Sequence, residues 1–260
     1  MPKLTMPKGE LRYYACGYTV HQMKALMHGQ SRQRRVFPAG VFLYCHPDGR
    51  KVLFDTGYGP ATWRAGAAGF LYSLLLPPKI RPEQGIAAQL LADGIPAESI
   101  DFVVLSHLHP DHLGGVRYFP QSTFVLSIAM LETLAKAHVK EGFLPRLLPG
   151  WFPTAKKLVV DPSQGEVDLL GDGSYRLVDL PGHAKGHMGA LVEERALLAG
   201  DASWGEDLMG EVEKIKALPR SINHRWSDYS QTITQLQQWQ SQGVKLYFSH
   251  DHQDRKELLS

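Results

Sequence analysis

The chain has 260 residues, of which 43% are hydrophobic and 21% are charged, and its formal net charge is +2. This balance excludes an intrinsically disordered chain and supplies enough apolar material for a sizeable core. So small a net charge gives no electrostatic reason to expect a nucleic-acid partner.

No targeting or membrane-spanning segment is expected. The first ten residues lack an apolar run and contain two prolines, and the most apolar stretch, 70–76, is too short to cross a bilayer. We therefore expect a cytoplasmic protein without a membrane partner. Two cysteines make no disulfide framework in a chain of this length, so Cys16 and Cys45 are expected to be buried free thiols.

The first half of the chain predicts strands separated by turns and by two helices. Strands are expected over residues 11–20, 41–45, 51–54, 100–105 and 123–126. One helix is predicted over 83–91, behind Pro82 and stopped by Gly94. A second helix is predicted over 128–138, with Ser127 as its cap.

The second half continues this alternation. Strands are expected over residues 166–170, 175–180, 188–192, 196–199 and 244–248. A helix is predicted over 228–240, with Tyr229, Ile233, Leu236 and Trp239 on one stripe. The sequence shows neither an internal repeat nor a linker, so residues 1–260 are predicted to form a single domain. Two mixed sheets covered by helices, a four-layer αββα sandwich of the α/β class, accommodate this order.

The densest polar motif is the segment 106–112, Ser-His-Leu-His-Pro-Asp-His, directly after the predicted buried strand 100–105. A loop at the end of a strand can direct several side chains at one point. Imidazoles and a carboxylate are ligands suited to zinc, iron, manganese or cobalt. The alternative is a polar surface loop with accidental histidines, but the density of the motif favours a metal site.

This HxHxDH pattern resembles the signature of the metallo-β-lactamase-fold hydrolases. Further motifs of that family follow the same order along the chain: Phe54-Asp55-Thr56-Gly57, Pro181-Gly182-His183-Ala184-Lys185-Gly186-His187, Leu198-Ala199-Gly200-Asp201 and Phe248-Ser249-His250-Asp251. The resemblance extends over roughly residues 37–252 and implies the same αββα sandwich.

The resemblance also implies a site with two divalent metal ions, zinc first, with iron, manganese or cobalt as alternatives. His107, His109 and His183 would hold one ion, and Asp111, His112 and His250 the other, with Asp201 shared between them. A hydroxide bridging the two metals would act as the nucleophile. Asp111 would also move a proton to the leaving group. His187 and Asp55 are expected to orient ligands instead of binding metal.

The substrate is expected to be a small molecule. The chain looks most like the quorum-quenching lactonase branch, whose members open acyl-homoserine lactones or related rings. That resemblance implies opening of a lactone, or cleavage of a carboxylic ester, with an apolar substituent. The branch commonly carries a tyrosine three residues after the shared aspartate, where this chain has Trp204. Trp204 is expected to contact the substrate, although its indole can donate a hydrogen bond and cannot accept one.

Other functions stay open within the same fold. A thioesterase, a phosphodiesterase or a non-catalytic metal-bearing sensor would keep the same ligands. The diiron redox domains of this fold typically have glutamate where this chain has His109, which disfavours a redox function.

Two apolar inserts, 58–80 and 143–152, show little helical or strand period. Apolar loops beside a site must cover something, because their exposure to water is unfavourable. We expect Leu75 and Trp151 to form a wall of the substrate pocket. A homodimer interface and plain core packing are the alternatives.

Overall fold

Two β-sheets form the framework of the computed structural model, which describes residues 8–136, 141–221, 223–254 and 256–259. The first sheet contains seven strands: β1 (Glu10–Gln22), β2 (Arg34–Cys45), β3 (Lys51–Phe54), β4 (Phe102–Val104), β5 (Thr123–Ser127), β6 (Lys157–Val160) and β12 (Glu257–Leu259). Their order is β12-β1-β2-β3-β4-β5-β6. The second sheet contains five strands: β7 (Val167–Asp168), β8 (Tyr175–Asp179), β9 (Met188–Val192), β10 (Ala196–Gly200) and β11 (Lys245–Phe248), in the order β11-β10-β9-β8-β7.

Helices cover both sheets. They are α1 (Met23–Leu26), α2 (Gly66–Leu75), α3 (Ile86–Ala92), α4 (Pro110–Leu113), α5 (Ile128–Ala135), α6 (Ala217–Arg220) and α7 (Trp226–Ser241). The predicted stripe of α7 buries Tyr229, Ile233 and Leu236 in one hydrophobic cluster with Leu197 and Phe248 of the second sheet. The layers therefore form the predicted αββα sandwich.

The two sheets pack face to face through aromatic side chains. Phe42 of β2 lies 6.1 Å from Tyr247 of β11, measured between ring centroids, and Tyr44 lies 5.7 Å from Tyr175 of β8. All four side chains are buried. Phe42 and Tyr44 thus both line the space between the sheets, because alternate side chains of a strand share one face.

Strand direction brings the polar motifs to one edge of the sandwich. β3, β4, β5 and β6 run parallel in the first sheet, and β10 runs parallel to β11 in the second. Asp55 and the segment 106–112 follow β3 and β4, whereas Asp201 and His250 follow β10 and β11. The carboxyl ends of neighbouring parallel strands meet at the same edge, which is where ligands bind in open α/β sheets.

The insert 58–80 differs from its prediction, which gave it neither a helix nor a strand. It contains the helix α2, although its sequence lacks a helical period. A period of alternating apolar and polar residues arises only when one side of a helix is polar, and α2 carries neither a charge nor a strongly polar side chain on its outer side. The insert 143–152 forms two short 3-10 turns, at Pro145–Leu147 and Phe152–Thr154.

Other boundaries also differ from the prediction. The helix expected over 83–91 is split at Gly85, which is extended, into a 3-10 turn and α3. Ser127 is the N-cap residue of α5, as predicted, but its side chain does not cap the helix, because its hydroxyl donates to the carbonyl of Gly186 at 2.8 Å. α5 ends at Ala135, and residues 137 and 138 of the predicted helix lie outside the described residues. β6 and β12 were not predicted, and β7 is two residues long instead of five.

Two expectations about the whole chain can be compared with the structure. Over the described ranges, no helix combines the length and the apolar character needed to cross a bilayer. Cys16 and Cys45 are free, as predicted, but the expectation that both are buried is wrong for Cys45, which is half-buried at the end of β2. Cys16 is fully buried, and this burial raises the pKa of its thiol well above the ordinary value.

Candidate metal centre

The loops that follow four strands place seven polar side chains together. They form two groups that share one carboxylate: His107, His109, His183 and Asp201 in the first group, and Asp111, His112, Asp201 and His250 in the second. Within each group the potential ligand atoms all lie within 4.8 Å of one another. These are the seven side chains that the sequence singles out as ligands, with Asp201 in the shared position.

Close backbone packing fixes the segment that carries Asp111 and His112. The two residues lie in the single turn of α4, which begins at Pro110. After this turn, a Cβ atom added to Gly114 would lie 2.0 Å from the backbone nitrogen of Gly59. Only glycine permits this approach between the two loops. The Thr56 hydroxyl also donates to the carbonyl of His112 at 2.8 Å.

Asp55 orients His112 of the second group through a hydrogen bond, as predicted. It is fully buried and has a φ of 64°, a left-handed conformation that is strained for a residue other than glycine. One carboxylate oxygen accepts the backbone N–H of Ser106, and the other lies 2.8 Å from both the Ser106 hydroxyl and His112 Nδ1. His112 Nδ1–H donating to Asp55 leaves its Nε2 lone pair for a metal.

His183 connects the first group to the shared carboxylate. Its Nε2 lies 3.1 Å from His109 Nδ1 and 3.3 Å from Asp201 Oδ2. Its Nδ1 lies 3.1 Å from Asn223 Oδ1, which can only accept, so the proton is on Nδ1. Sequence reasoning missed Asn223, because it lies between α6 and α7 in a segment without a motif.

The second group contacts both oxygens of the Asp201 carboxylate. Asp201 Oδ1 lies 3.3 Å from His112 Nε2, and Oδ2 lies 3.1 Å from His250 Nε2. Asp111 Oδ2 lies 3.7 Å from His250 Nε2. His250 Nδ1 donates to the carbonyl of Pro38 at 2.8 Å, which directs Nε2 into the centre.

The protonation states fit ligands that surround cations. Burial and the neighbouring imidazoles hold the pKa of His107 well below its ordinary value. Burial opposes protonation of His112, but the carboxylates of Asp201 and Asp55 raise its pKa well above the ordinary value. The carboxylates thus favour positive charge at this point. A divalent metal in place of the proton would supply that charge.

Three buried polar atoms give a direct test of whether metal ions fit. His107 Nε2, His112 Nε2 and Asp201 Oδ1 have no hydrogen-bond partner among the described residues. A buried polar atom without a partner is costly, and native proteins rarely keep several of them together. All three atoms belong to the two groups, and imidazole nitrogen with carboxylate oxygen is a common ligand set for divalent metals. The residues therefore fit divalent metal ions.

His187 lies beside the two groups, but both of its ring nitrogens are already hydrogen-bonded and neither is available to a metal. Its Nδ1 donates to the carbonyl of Leu180 at 2.8 Å, and its Nε2 accepts the backbone N–H of Asp201 at 3.1 Å. Burial lowers the pKa of His187 to about 4, so the ring is neutral. This agrees with the expectation that His187 orients a ligand, since it fixes the backbone of Asp201.

The three residues predicted to contact the substrate have different surroundings. Trp204 packs edge-to-face on Phe37, and Phe37 packs edge-to-face on His250. Trp151 packs on Phe124 of β5, with 6.0 Å between the ring centroids. Leu75 ends α2, with an exposed side chain. Their contact with a substrate stays a prediction.

A pair of tyrosines that sequence reasoning missed joins α2 to the centre. The Tyr72 hydroxyl lies 3.0 Å from the hydroxyl of Tyr58, which follows Gly57 in the loop packed on α4. Burial and the negative charge of Asp111 raise the pKa of both phenols well above the ordinary value. α2 therefore lies next to the metal centre, although its sequence carries no motif.

Comparisons with known proteins agree with this geometry. The family model of the Metallo-beta-lactamase superfamily matches residues 34–239. The N-acyl homoserine lactonase AttM of Rhizobium johnstonii is 30% identical over 201 residues, which are 70% of this chain and 70% of AttM. A probable metallo-hydrolase of Mycobacterium tuberculosis, Rv2300c, is 27% identical over 231 residues, which are 82% of this chain and 73% of that protein.

Solved structures show the same fold. An AiiA mutant of B. thuringiensis with N-decanoyl-L-homoserine bound at its active site has a TM-score of 0.75 at 20% identity, and the match covers 95% of this chain and 94% of that one. An N-acyl homoserine lactone hydrolase with N-hexanoyl-L-homoserine at its catalytic metal centre has a TM-score of 0.74, also at 20% identity, with the same coverage. The predicted αββα fold and the predicted class of metal-binding hydrolase are thus confirmed. The chain belongs to the metallo-beta-lactamase superfamily.

Proposed function

We propose that this hydrolase opens a lactone ring, or cleaves a carboxylic ester, that carries an apolar substituent, and that it uses two divalent metal ions. The observation that carries the proposal is the sharing of Asp201 by two groups of ligand atoms, each within 4.8 Å. The similarity to the AttM lactonase favours a lactone as substrate.

Each metal would have three ligands of its own and one that is shared. His107, His109 and His183 would hold the first ion, Asp111, His112 and His250 the second, and the Asp201 carboxylate would contact both. Zinc is the first choice for imidazole and carboxylate ligands, with iron, manganese and cobalt as alternatives. Two such ions activate water as a nucleophile and polarise a carbonyl oxygen.

Asp111 would supply the proton that the reaction needs. Ring opening produces an alkoxide, a poor leaving group that must be protonated as the C–O bond breaks. Asp111 is nearly buried, and neither of its oxygens accepts a hydrogen bond from the described residues. Its carboxylate can therefore take a proton from the attacking water and give it to the leaving oxygen.

The apolar substituent would lie along α2. Tyr72 places the inner side of this helix beside the centre, and Leu75 lies near its end. We propose that a chain attached to the lactone leaves the metal centre along α2 and contacts Leu75. Trp204 would approach the substrate from the opposite side, past Phe37 and His250. Trp151 would complete the wall of the pocket.

The test is a substrate panel with metal-reconstituted protein: alkyl-substituted lactones, esters, thioesters and phosphodiesters, with the metal-stripped protein as control. We expect the highest kcat/KM for the lactones, and loss of activity after chelation. Faster turnover of thioesters or phosphodiesters would instead identify one of the alternative hydrolases. Binding of a lactone without turnover would identify a metal-bearing sensor.

A further inference from the structure

The outer side of α2 exposes a group of large apolar side chains that a folded protein would ordinarily bury. Phe70 is 62% exposed, Leu71 54%, Leu74 68% and Leu75 67%. These positions are spaced so that they share one side of a helix, whereas Gly69 and Tyr72 face the protein. Trp63, just before α2, is 53% exposed. We call Trp63, Phe70, Leu71, Leu74 and Leu75 the α2 face.

An apolar surface of this kind is expected to bind another molecule that shields it from water. Exposed large apolar side chains are unremarkable when they are scattered, but a contiguous group marks a contact with a protein or a membrane. Helix α2 has no polar outer side that would keep it in water, since the exposed residues of Gly66–Leu75 are apolar or alanine.

The charges around the α2 face discriminate between possible occupants. No Asp or Glu occurs from residue 56 to residue 82. Arg64 and Arg146 lie at the start of α2, and Lys79 follows its end; all three are exposed. None of these three cations forms an ion pair with the described acidic residues. Arg81 differs, because it pairs with Glu83 at 3.0 Å.

A second copy of the chain fits this arrangement poorly. In a two-fold dimer each patch faces its own copy. Pairing α2 in either direction would therefore bring unpaired cations at its ends against cations of the partner. An anionic bilayer surface is complementary instead, because its apolar interior receives the side chains and its headgroups receive the flanking cations.

We propose that the α2 face docks the protein on the surface of an anionic lipid bilayer. Phe70, Leu71 and Leu74 enter the boundary between headgroups and acyl chains, while Arg64, Arg146 and Lys79 contact the headgroups. This docking contacts one leaflet and requires no membrane-spanning helix. It also places the inner side of α2, with Tyr72, between the bilayer and the metal centre, a route for a substrate with an acyl chain.

The primary test measures binding, not turnover, so it is independent of the proposed activity. Metal-loaded protein is sedimented with vesicles of phosphatidylglycerol and phosphatidylcholine, and with vesicles of phosphatidylcholine alone. We expect binding to the anionic vesicles that is at least about tenfold stronger and that weakens with added salt. Equal binding to both vesicles, or to neither, would overturn the proposal.

Two sets of variants locate the contact. F70E/L74E should abolish sedimentation with anionic vesicles, whereas L91E, at an equally exposed leucine of α3, should leave it unchanged. Replacing Arg64, Arg146 or Lys79 by glutamine should each weaken binding about fivefold. R34Q, at an exposed arginine of β2, removes the same charge elsewhere and should have a smaller effect. Equal losses in variants and controls would place the contact outside α2.

Light scattering tests the competing occupant in the same preparation. The proposal predicts that F70E/L74E leaves the molar mass in solution unchanged. A wild-type dimer that becomes a monomer in F70E/L74E would assign the α2 face to a second copy and overturn the proposal. Quenching of Trp63 by brominated lipid, with Trp63→Phe as reference, gives an independent measure of insertion.

Discussion

The metal centre and the α2 face break the usual pattern of burial in opposite directions. The centre buries histidines and carboxylates that water would otherwise solvate, whereas α2 exposes side chains that the core would otherwise hold. Both arrangements cost free energy in the isolated chain. Each therefore indicates something that the chain binds: divalent metal ions in the first case and an apolar surface in the second.

The two regions also differ in how they are held. Three histidines of the centre are held in orientation by a hydrogen bond at Nδ1: His112 by Asp55, His183 by Asn223, and His250 by the carbonyl of Pro38. The exposed side chains of α2 have no comparable partners among the described residues. Substitutions in the centre should therefore change metal binding and turnover together, and substitutions on the α2 face should leave the free energy of unfolding nearly unchanged.

The largest effect is expected from Asp201→Ala, because Asp201 alone belongs to both ligand groups. The variant should lose metal from both positions and with it all measurable hydrolysis. Asp179→Ala is the matched control, since Asp179 also ends a strand of the second sheet but lies outside both groups. Elemental analysis decides the matter. Full occupancy of one position in Asp201→Ala would show that the two groups do not share this ligand.

Asp111→Asn separates catalysis from folding. An amide oxygen can still approach a metal, but it cannot carry a proton in the neutral range. We expect kcat to fall by about 10²–10⁴-fold with the melting temperature preserved. Steady-state kinetics is compared at equal metal content. Turnover close to that of the wild type would mean that another group delivers the proton.

Asp55→Asn should weaken metal binding without removing a ligand. Asparagine tolerates the left-handed backbone at this position, but its NH₂ group cannot accept from His112 Nδ1 or from the Ser106 hydroxyl. We expect metal affinity to fall by about 10- to 100-fold. Competition with a chromogenic chelator measures it. Asp93→Asn, at a half-buried aspartate bonded to Tyr14, should retain wild-type affinity.

The smallest effect concerns the apolar part of the substrate. Burial of one methylene contributes about 0.8 kcal/mol, so kcat/KM should rise about fourfold per methylene in a series of alkyl lactones. Leu75→Ala and Trp151→Ala should flatten this rise, whereas Leu91→Ala, on α3, should not. If the slope is the same in all four proteins, Leu75 and Trp151 do not line the pocket.

Sequence patterns predicted the metal centre better than they predicted α2. The side chains proposed as ligands lie in motifs at the ends of strands, where chemistry restricts residue type, and each strand has its own apolar run. The motif also predicted the role of His187, because its position there indicated a residue that orients a ligand. Asn223 carried no such pattern. It contacts His183 only through the tertiary fold, 40 residues away along the chain.

The missed elements have physical causes. The sequence of helix α2 shows no helical period because its outer side, with Phe70 and three leucines, is as apolar as its inner side. β6 and β12 are short edge strands that pair on one side only, so their residues are partly exposed, and their apolar runs, residues 158–160 and 258–259, are shorter than the four to eight residues that predict a strand. Ser127 has the residue type of a helix cap, but the Gly186 carbonyl lies within reach and receives its hydroxyl instead.

The central claim, a hydrolase with two metal ions that share Asp201, is tested most directly by metal titration of the wild-type protein. Apoprotein is reconstituted with zinc in steps, and bound zinc and lactone hydrolysis are measured at each step. We predict saturation at two ions per chain, with full activity only after the second ion has bound. Saturation of both zinc binding and hydrolysis at one ion per chain would contradict it.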